Sequence, residues 1–160
     1  MADRRVGVGL AAASLSAALM PLNSTMIAVA LPSIAQDVGA TTGTVTQALV
    51  GAYLVTAIVL QSPGGKLGDR IGYGRLLYAG QACVFAGAAV GFVASDLWLL
   101  ALARVLMAIG GAALVPSAVA SLRNELPEER RGRAFGMFGA LMTLAAAFGP
   151  LIGGELVRLF

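Results

Sequence analysis

Five long apolar stretches, separated by short polar segments, dominate the hydropathy pattern of this chain. Each is close to the roughly 20 residues that an α-helix needs to cross the hydrocarbon core of a bilayer. The pattern predicts transmembrane helices at residues 8–31, 44–64, 76–94, 97–122 and 134–157. Because helices satisfy their own backbone hydrogen bonds in lipid, the sequence predicts an all-α membrane bundle.

The polar segments differ in charge, and this difference predicts the orientation of the chain. Arg4 and Arg5 precede the first stretch, and Lys or Arg recur in the second and fourth connections. The first and third connections, residues 32–43 and 95–96, contain neither. Because positively charged connections stay on the cytoplasmic side, we expect a multi-pass protein of the cell membrane. Its N-terminus would be cytoplasmic, and after five crossings the C-terminus of this chain would lie outside.

The composition of the chain argues against several classes of function. The chain is 58% hydrophobic and 12% charged, with a mean hydropathy of +0.85, whereas a soluble domain carries about 25% charged residues. The pI of 9.6 does not indicate a nucleic-acid partner, because the basic residues lie between apolar stretches. With no His and a single Cys83, we expect no metal and no cofactor. No nucleophile–base pair or phosphate loop indicates an enzyme.

Arg104 is a charged side chain deep within a predicted helix. It follows the start of the fourth stretch by about seven residues, or roughly 10 Å. An arginine near the bilayer centre costs at least about 2.5–3.5 kcal/mol, so it should face a cavity or a polar partner. We favour a substrate or proton-coupling cation over an arginine that reaches back to the outer interface.

Asn23 in the first predicted helix is the candidate partner of Arg104. It lies about eight residues before the predicted outer end, at a depth of roughly 12 Å that matches Arg104. With Ser24 and Thr25 it forms a polar segment beside the bend expected at Pro21. Such side chains also join membrane helices without any further role. We expect Asn23 and Arg104 to approach within hydrogen-bonding reach, directly or through water.

The segment Gly65–Arg75 is charged and rich in glycine, and it lies between two apolar stretches. It predicts a tight turn between antiparallel helices. Asp69 is expected to cap the helix that follows, where a negative charge interacts favourably with the amino end. The alternative is a latch that holds two helix bundles in one state.

A second set of glycines lies near the end of the fifth stretch, around Pro150. Proline removes a backbone donor and bends a helix, and the flanking glycines leave the bend mobile. The sequence therefore predicts an interruption that serves as a hinge or as a site of close packing. The residues concerned are Gly149, Pro150, Gly153 and Gly154.

Small residues four positions apart predict faces on which two helices approach closely. Gly87 and Gly91 form one such column, and Gly132 and Gly136 form another. In a sequence this rich in alanine and glycine, each column is as consistent with chance as with a contact.

With these segments assembled, the chain resembles a major facilitator superfamily transporter, and most closely the fourteen-helix class of drug:proton antiporters. Four motifs in the family's order carry the resemblance over nearly the whole chain: Leu22–Pro32, Gly65–Arg75, Arg104 with Gly110 and Gly111, and Gly149-Pro150 with Gly153-Gly154. The fold implied is the first five helices of the family's N-terminal six-helix bundle.

The resemblance also implies roles for these residues. Arg104, together with the position of Asn23, would serve proton coupling or the substrate path. A loop formed by Gly65, Asp69, Arg70, Gly72 and Arg75 would gate the conformational change. The glycines around Pro150 would shape the antiporter hinge.

The chain departs from the family's motifs at three places. Asn23 stands where the first-helix motif usually has an aspartate, and asparagine cannot titrate. Met107 and Ala108 follow Arg104 where the family commonly has Arg-x-x-Gln-Gly. Tyr73 replaces a basic residue of the loop motif.

The function implied is export of small amphipathic or cationic compounds, with protons exchanged, as part of a longer transporter. The family's members have a second bundle that this chain lacks, so we expect either a fragment or a truncated product, completed by that bundle or by another membrane chain. Two alternatives stay open: a metabolite uniporter or symporter, and a non-transporting membrane interaction protein.

Overall fold

The computed structural model describes residues 2–159, with side chains described from residue 7 onward, so the side chains of Arg4 and Arg5 lie outside it. Five long helices fill the described chain, and each is long and apolar enough to cross a membrane. The predicted all-α fold with five such helices is confirmed. They are α1 (Ala2–Asp37), α2 (Thr42–Ile71), α3 (Tyr73–Val93), α4 (Leu97–Glu125) and α5 (Glu128–Leu159).

Side-chain caps begin the two helices that follow the connections without Lys or Arg. The hydroxyl of Thr41 accepts a hydrogen bond from the backbone N–H of Thr44 over 3.2 Å at the start of α2. Asp96 accepts one from the N–H of Leu99 over 2.9 Å at the start of α4. Each side chain satisfies one of the amide donors that a helix leaves free at its amino end.

The helices are longer than the apolar stretches. α1 passes through Pro21 and Pro32 and ends only at Asp37. A tight turn does join α2 and α3, but it is much shorter than the predicted Gly65–Arg75, because α2 continues to Ile71 and α3 begins at Tyr73. A single residue, Gly72, links the two helices with a φ of +90°, a conformation that glycine adopts without the Cβ clash of other residues.

α4 is the central helix of the bundle. It packs against α1, α2 and α3, whereas α5 packs mainly against α1. More buried residues of the described chain therefore lie on α4 than on any other helix. A small apolar cluster joins the ends of α1 and α2 through Leu31, Ala35, Val45 and Leu49.

Glycines set the close approach of α3 and α4. A Cβ at Gly87 would lie 2.8 Å from the carbonyl oxygen of Ala103, and one at Gly110 would lie 2.6 Å from that of Gly80. The predicted contact face at Gly87 is confirmed. The column at Gly132 and Gly136 is not a contact face within the described residues, since a Cβ at either position would meet nothing within 4 Å.

The outward faces of the bundle are apolar. Phe92 is 92% exposed, Trp98 86% and Phe85 76%. A water-exposed surface rarely carries so many large apolar side chains. In a bundle whose helices match the thickness of a bilayer, such side chains face lipid.

Candidate functional site

Arg104 lies inside the bundle and is only 3% exposed. Its Nη1 donates a hydrogen bond to Oδ1 of Asn23 in α1 over 3.0 Å. Its Nε donates to the carbonyl oxygen of Leu49 in α2 over 3.4 Å. One guanidinium therefore joins three helices, and the alternative of an arginine reaching back to the interface is wrong.

Tyr53 supplies a third contact for Arg104. The centre of the guanidinium lies 4.5 Å from the centroid of the Tyr53 ring, within the range of a cation–π interaction. The ring is 8% exposed, and its hydroxyl lies 3.9 Å from the sulfur of Met20. The aromatic face lowers the cost of burying the cation without neutralising its charge.

The predicted approach of Asn23 to Arg104 is confirmed, although the depth estimate behind it used the wrong helix end. α1 continues to Asp37, so Asn23 lies farther from the end of its helix than predicted. Asn23 uses both ends of its amide: Oδ1 accepts from Arg104, and Nδ2 donates to the sulfur of Met107 over 2.9 Å. The amide thus contacts two residues of α4 that lie on one face.

Sequence reasoning missed the contribution of α2 to this site. Leu49 lies in a π-helical turn, Gln47–Gly51, and such turns often occur at functional sites within α-helices. Because the turn departs from regular α-helical bonding, a main-chain carbonyl can turn toward Arg104. No side-chain pattern signals that. Tyr53, by contrast, is a polar-tipped residue in an apolar stretch, and that signal was available in the sequence.

A cavity of about 110 Å³ adjoins Arg104. Side chains and backbone from α1, α2, α3 and α4 line it, so it lies between four helices. Its polar lining comes from Asn23 and Arg104, and the rest is apolar or thioether. The lining residues are Asn23, Ile27, Leu49, Gly91, Leu100, Ala103, Arg104 and Met107.

The site contains a positive charge and no described counter-charge. Within the described residues the ion pair is Glu155–Arg158, 3.7 Å apart on the exposed part of α5. Asn23, Tyr53 and the Leu49 carbonyl are neutral partners of Arg104. The described site can therefore donate hydrogen bonds and attract negative charge, but Asn23 offers no acid that could carry a proton. No group of three His, Cys, Asp or Glu that could hold a metal occurs among the described residues.

The glycines near the end of α5 contact the same polar segment of α1. A Cβ at Gly149 would overlap the hydroxyl oxygen of Thr25 and would lie 2.8 Å from the Leu22 carbonyl oxygen. One at Gly153 would lie 2.7 Å from the Met26 carbonyl oxygen. The segment of α1 that contains Asn23 is therefore held between α4 on one side and α5 on another.

The expected interruption at Pro150 is wrong as a break in structure. α5 continues through Pro150 to Leu159. Gly149 and Gly153 are buried against α1, whereas Pro150 is exposed and Gly154 is half-buried. Close packing, the alternative to a hinge, is what these two buried glycines provide.

The predicted gating residues cluster around the junction of α2 and α3, with Gly65 and Asp69 in α2 and Arg75 in α3. Asp69 does not cap α3, whose capping position is Gly72. Instead its carboxylate accepts a hydrogen bond from the Tyr73 hydroxyl over 2.6 Å. Asp69, Arg70, Gly72 and Arg75 are all exposed. This group lies at a bundle end, apart from the buried site around Arg104.

Comparison with known proteins agrees with this architecture. A family model described as Major Facilitator Superfamily matches residues 13–160. The chain is 38% identical over 161 residues to the uncharacterized MFS-type transporter YvkA of Bacillus subtilis, with 100% of this chain and 36% of that protein covered. It is 38% identical over 141 residues to the methyl viologen resistance protein SmvA of Salmonella typhimurium, covering 87% and 28%.

A third relative is the multidrug efflux pump LfrA of Mycolicibacterium smegmatis, 34% identical over 157 residues, with 98% of this chain and 31% of that protein covered. The chain thus spans 36% or less of the length of these three relatives. The five apolar helices and the family match identify a multi-pass membrane protein. Because the match extends over residues 13–160, the chain belongs to the Major Facilitator Superfamily, a family of transporters and not of enzymes.

Proposed function

We propose that this chain forms part of a transporter that exports small amphipathic or cationic compounds in exchange for protons. Support comes from relatives named as a multidrug efflux pump and a methyl viologen resistance protein. A second bundle, or another membrane chain, would supply the other side of the substrate path. Alternating access by rocking one half against the other requires such a partner.

The burial of Arg104 is the observation that carries this proposal. A cation inside a membrane bundle is costly and marks substrate or ion pathways more often than it serves packing. Arg104 has neutral partners and adjoins a cavity, so packing alone does not account for its charge. We assign Arg104, with Asn23 as its hydrogen-bond partner, to proton coupling or to the substrate path.

The exposed residues at the α2–α3 junction would gate the conformational change from the cytoplasmic side. This orientation follows from the positive charges at that end, among them Arg70 and Arg75. It places the N-terminus in the cytoplasm and the end of this chain outside. Asp69 would exchange its bond with Tyr73 for a partner in the second bundle.

The contact between α1 and α5 would transmit movement to Asn23. Gly149 and Gly153 let α5 lie directly against the backbone of α1 at Leu22–Met26. A shift of α5 therefore displaces the segment that holds Arg104. We assign Gly149, Pro150, Gly153 and Gly154 to this coupling.

Efflux of a cationic fluorescent dye from cells that express the 160-residue chain tests the function, with and without a proton uncoupler. Arg104→Ala at matched membrane abundance is the test variant, and Arg158→Ala, at an exposed arginine, is the control. Because the substrate path needs a second bundle, we expect no efflux from this chain alone. On coexpression with that bundle we expect uncoupler-sensitive efflux that Arg104→Ala abolishes and Arg158→Ala retains.

Three other results would redirect the proposal. Efflux that the uncoupler leaves unchanged would favour a uniporter, a possibility that the neutral Asn23 supports. Saturable uptake of a metabolite would favour a symporter. A well-inserted chain that moves nothing even when coexpressed with the second bundle would favour an interaction protein.

A further inference from the structure

Arg104 has a buried hydrogen-bond donor without a described partner, and the same residue lines a cavity. Nη2 of Arg104 is buried and has no hydrogen-bond partner among the described residues, whereas Nε and Nη1 are both bonded. Leaving a buried charged donor unsatisfied costs more than an ordinary hydrogen bond returns. Because Arg104 lines the cavity, the acceptor for Nη2 has a place there.

The charge of Arg104 calls for an anion and not only for a neutral acceptor. Its three contacts are the amide oxygen of Asn23, a main-chain carbonyl and the ring of Tyr53, and none of these carries a negative charge. No described carboxylate pairs with it. A buried cation without a counter-charge is among the most costly arrangements in a protein interior.

We propose that this cavity binds a small monovalent anion, either chloride or the carboxylate of a small acid. Nη2 of Arg104 would donate to it, and so would Nδ2 of Asn23. That amide has two N–H donors, and the bond described for it goes to the Met107 sulfur, a weak acceptor. The remaining lining is apolar, which strengthens the attraction between the guanidinium and the anion.

Anion binding explains why position 23 has an asparagine and not an aspartate. An aspartate at position 23 would neutralise Arg104 within the protein and would repel an anion from the cavity. Asparagine keeps the hydrogen bond to Arg104 while leaving the positive charge uncompensated. The bound anion then supplies the charge that an aspartate would otherwise provide.

The size of the cavity limits which anions can enter. A volume of about 110 Å³ is several times the roughly 10–15 Å³ that a cavity needs to hold one water molecule. Chloride and formate fit within it. Gluconate, with six carbons, is much bulkier, so we expect it to compete more weakly.

Chloride NMR line broadening tests the site in the 160-residue chain, held in lipid nanodiscs at constant ionic strength with gluconate as the balancing anion. We expect saturable broadening that formate reverses by competition, and the relative potency of formate distinguishes a carboxylate site from a chloride site. Asn23→Asp should weaken binding by about tenfold or more. Asn124→Asp, the same change at an exposed position, should leave binding unchanged.

Absence of saturable broadening in a folded wild-type chain would overturn the proposal, as would equal binding by the two variants. If Asn23→Asp does not fold, competition in the wild-type chain tests the site instead. Displacement of chloride by formate but not by gluconate supports the site. Equal displacement by both anions contradicts it. The readout is equilibrium binding, so its outcome is separate from whether the protein exports drugs.

Discussion

Nη1 of Arg104 donates a hydrogen bond to Oδ1 of Asn23 over 3.0 Å, and this bond joins α4 to α1. The same guanidinium reaches the Leu49 carbonyl in α2. Relative movement of these three helices at this level must therefore break or rebuild the bonds of one side chain.

Asn23→Ala should destabilise the bundle by about 1–2 kcal/mol, because it leaves Nη1 of Arg104 buried without its acceptor. Unfolding by titration with sodium dodecyl sulfate in mixed micelles measures this free energy. Ser24→Ala is the matched control, since the Ser24 side chain makes no hydrogen bond to the described residues. Equal losses for the two variants would mean that the Asn23 bond contributes nothing specific.

Tyr53→Phe and Tyr53→Leu should separate the ring from the hydroxyl. Phenylalanine keeps the aromatic face 4.5 Å from the guanidinium, so we expect little loss of stability. Leucine removes that face and should cost about 1–2 kcal/mol beyond any packing change. The same detergent titration compares them. A phenylalanine variant as unstable as the leucine variant would assign the contribution to the hydroxyl and not to the ring.

Gly149→Ala should destabilise the contact between α1 and α5 by about 1–3 kcal/mol, because the new methyl overlaps the Thr25 hydroxyl. Gly136→Ala lies in the same helix and meets nothing within 4 Å. It should be neutral or stabilising by up to about 1 kcal/mol, since alanine favours helix. Thermal unfolding of the two variants in nanodiscs provides the comparison, and a harmless Gly149→Ala would disprove the close contact.

Adding Thr25→Ala to Gly149→Ala tests the origin of that loss. Removal of the threonine hydroxyl relieves one overlap, but the Leu22 carbonyl oxygen remains 2.8 Å from the new methyl. We therefore expect partial recovery of the melting temperature. Full recovery would place the whole conflict on the Thr25 hydroxyl, and no recovery would place it on the Leu22 carbonyl oxygen and the Cβ that alanine keeps at position 25.

Gly72→Ala should cost about 1–2 kcal/mol, because a residue with a Cβ is strained at a φ of +90°. Gly74→Ala, two residues later and inside α3, has open space around it and should not destabilise the protein. Protease cleavage between α2 and α3 reports the local effect. Cleavage that rises equally in both variants would show that the backbone conformation of Gly72 is not what holds the junction.

The number and type of helices were predictable, but their ends were not. Apolar length alone indicates where a helix can cross a membrane. The polar turns beyond it, such as Pro32–Asp37 and Gly65–Ile71, join the helix through local hydrogen bonding that hydropathy does not register. This is why a charged, glycine-rich segment predicted as a loop became the last turns of α2.

Part of the candidate site was predictable because charge in an apolar helix is conspicuous. Arg104 stood out by its charge and Asn23 by its polarity. Their approach was predicted correctly, although the depth estimate behind it used the wrong end of α1. The contribution of Leu49 was not predictable, because every residue has a main-chain carbonyl and the sequence does not indicate which one will bond a side chain. The contact of Gly149 with Thr25 likewise depends on which helices become neighbours.

The sequence by itself determined that this chain forms five apolar helices, that one of them contains the charged residue Arg104, and that its motifs resemble those of a transporter family. These properties are local, since the length of an apolar stretch, the position of a charge and the order of motifs can each be recognised from consecutive residues. Only the tertiary structure decided that Arg104 meets three neutral partners, lines a cavity and has one buried donor without a partner among the described residues. Those contacts depend on how helices distant in sequence pack, and close packing is a property of facing surfaces that no single segment contains.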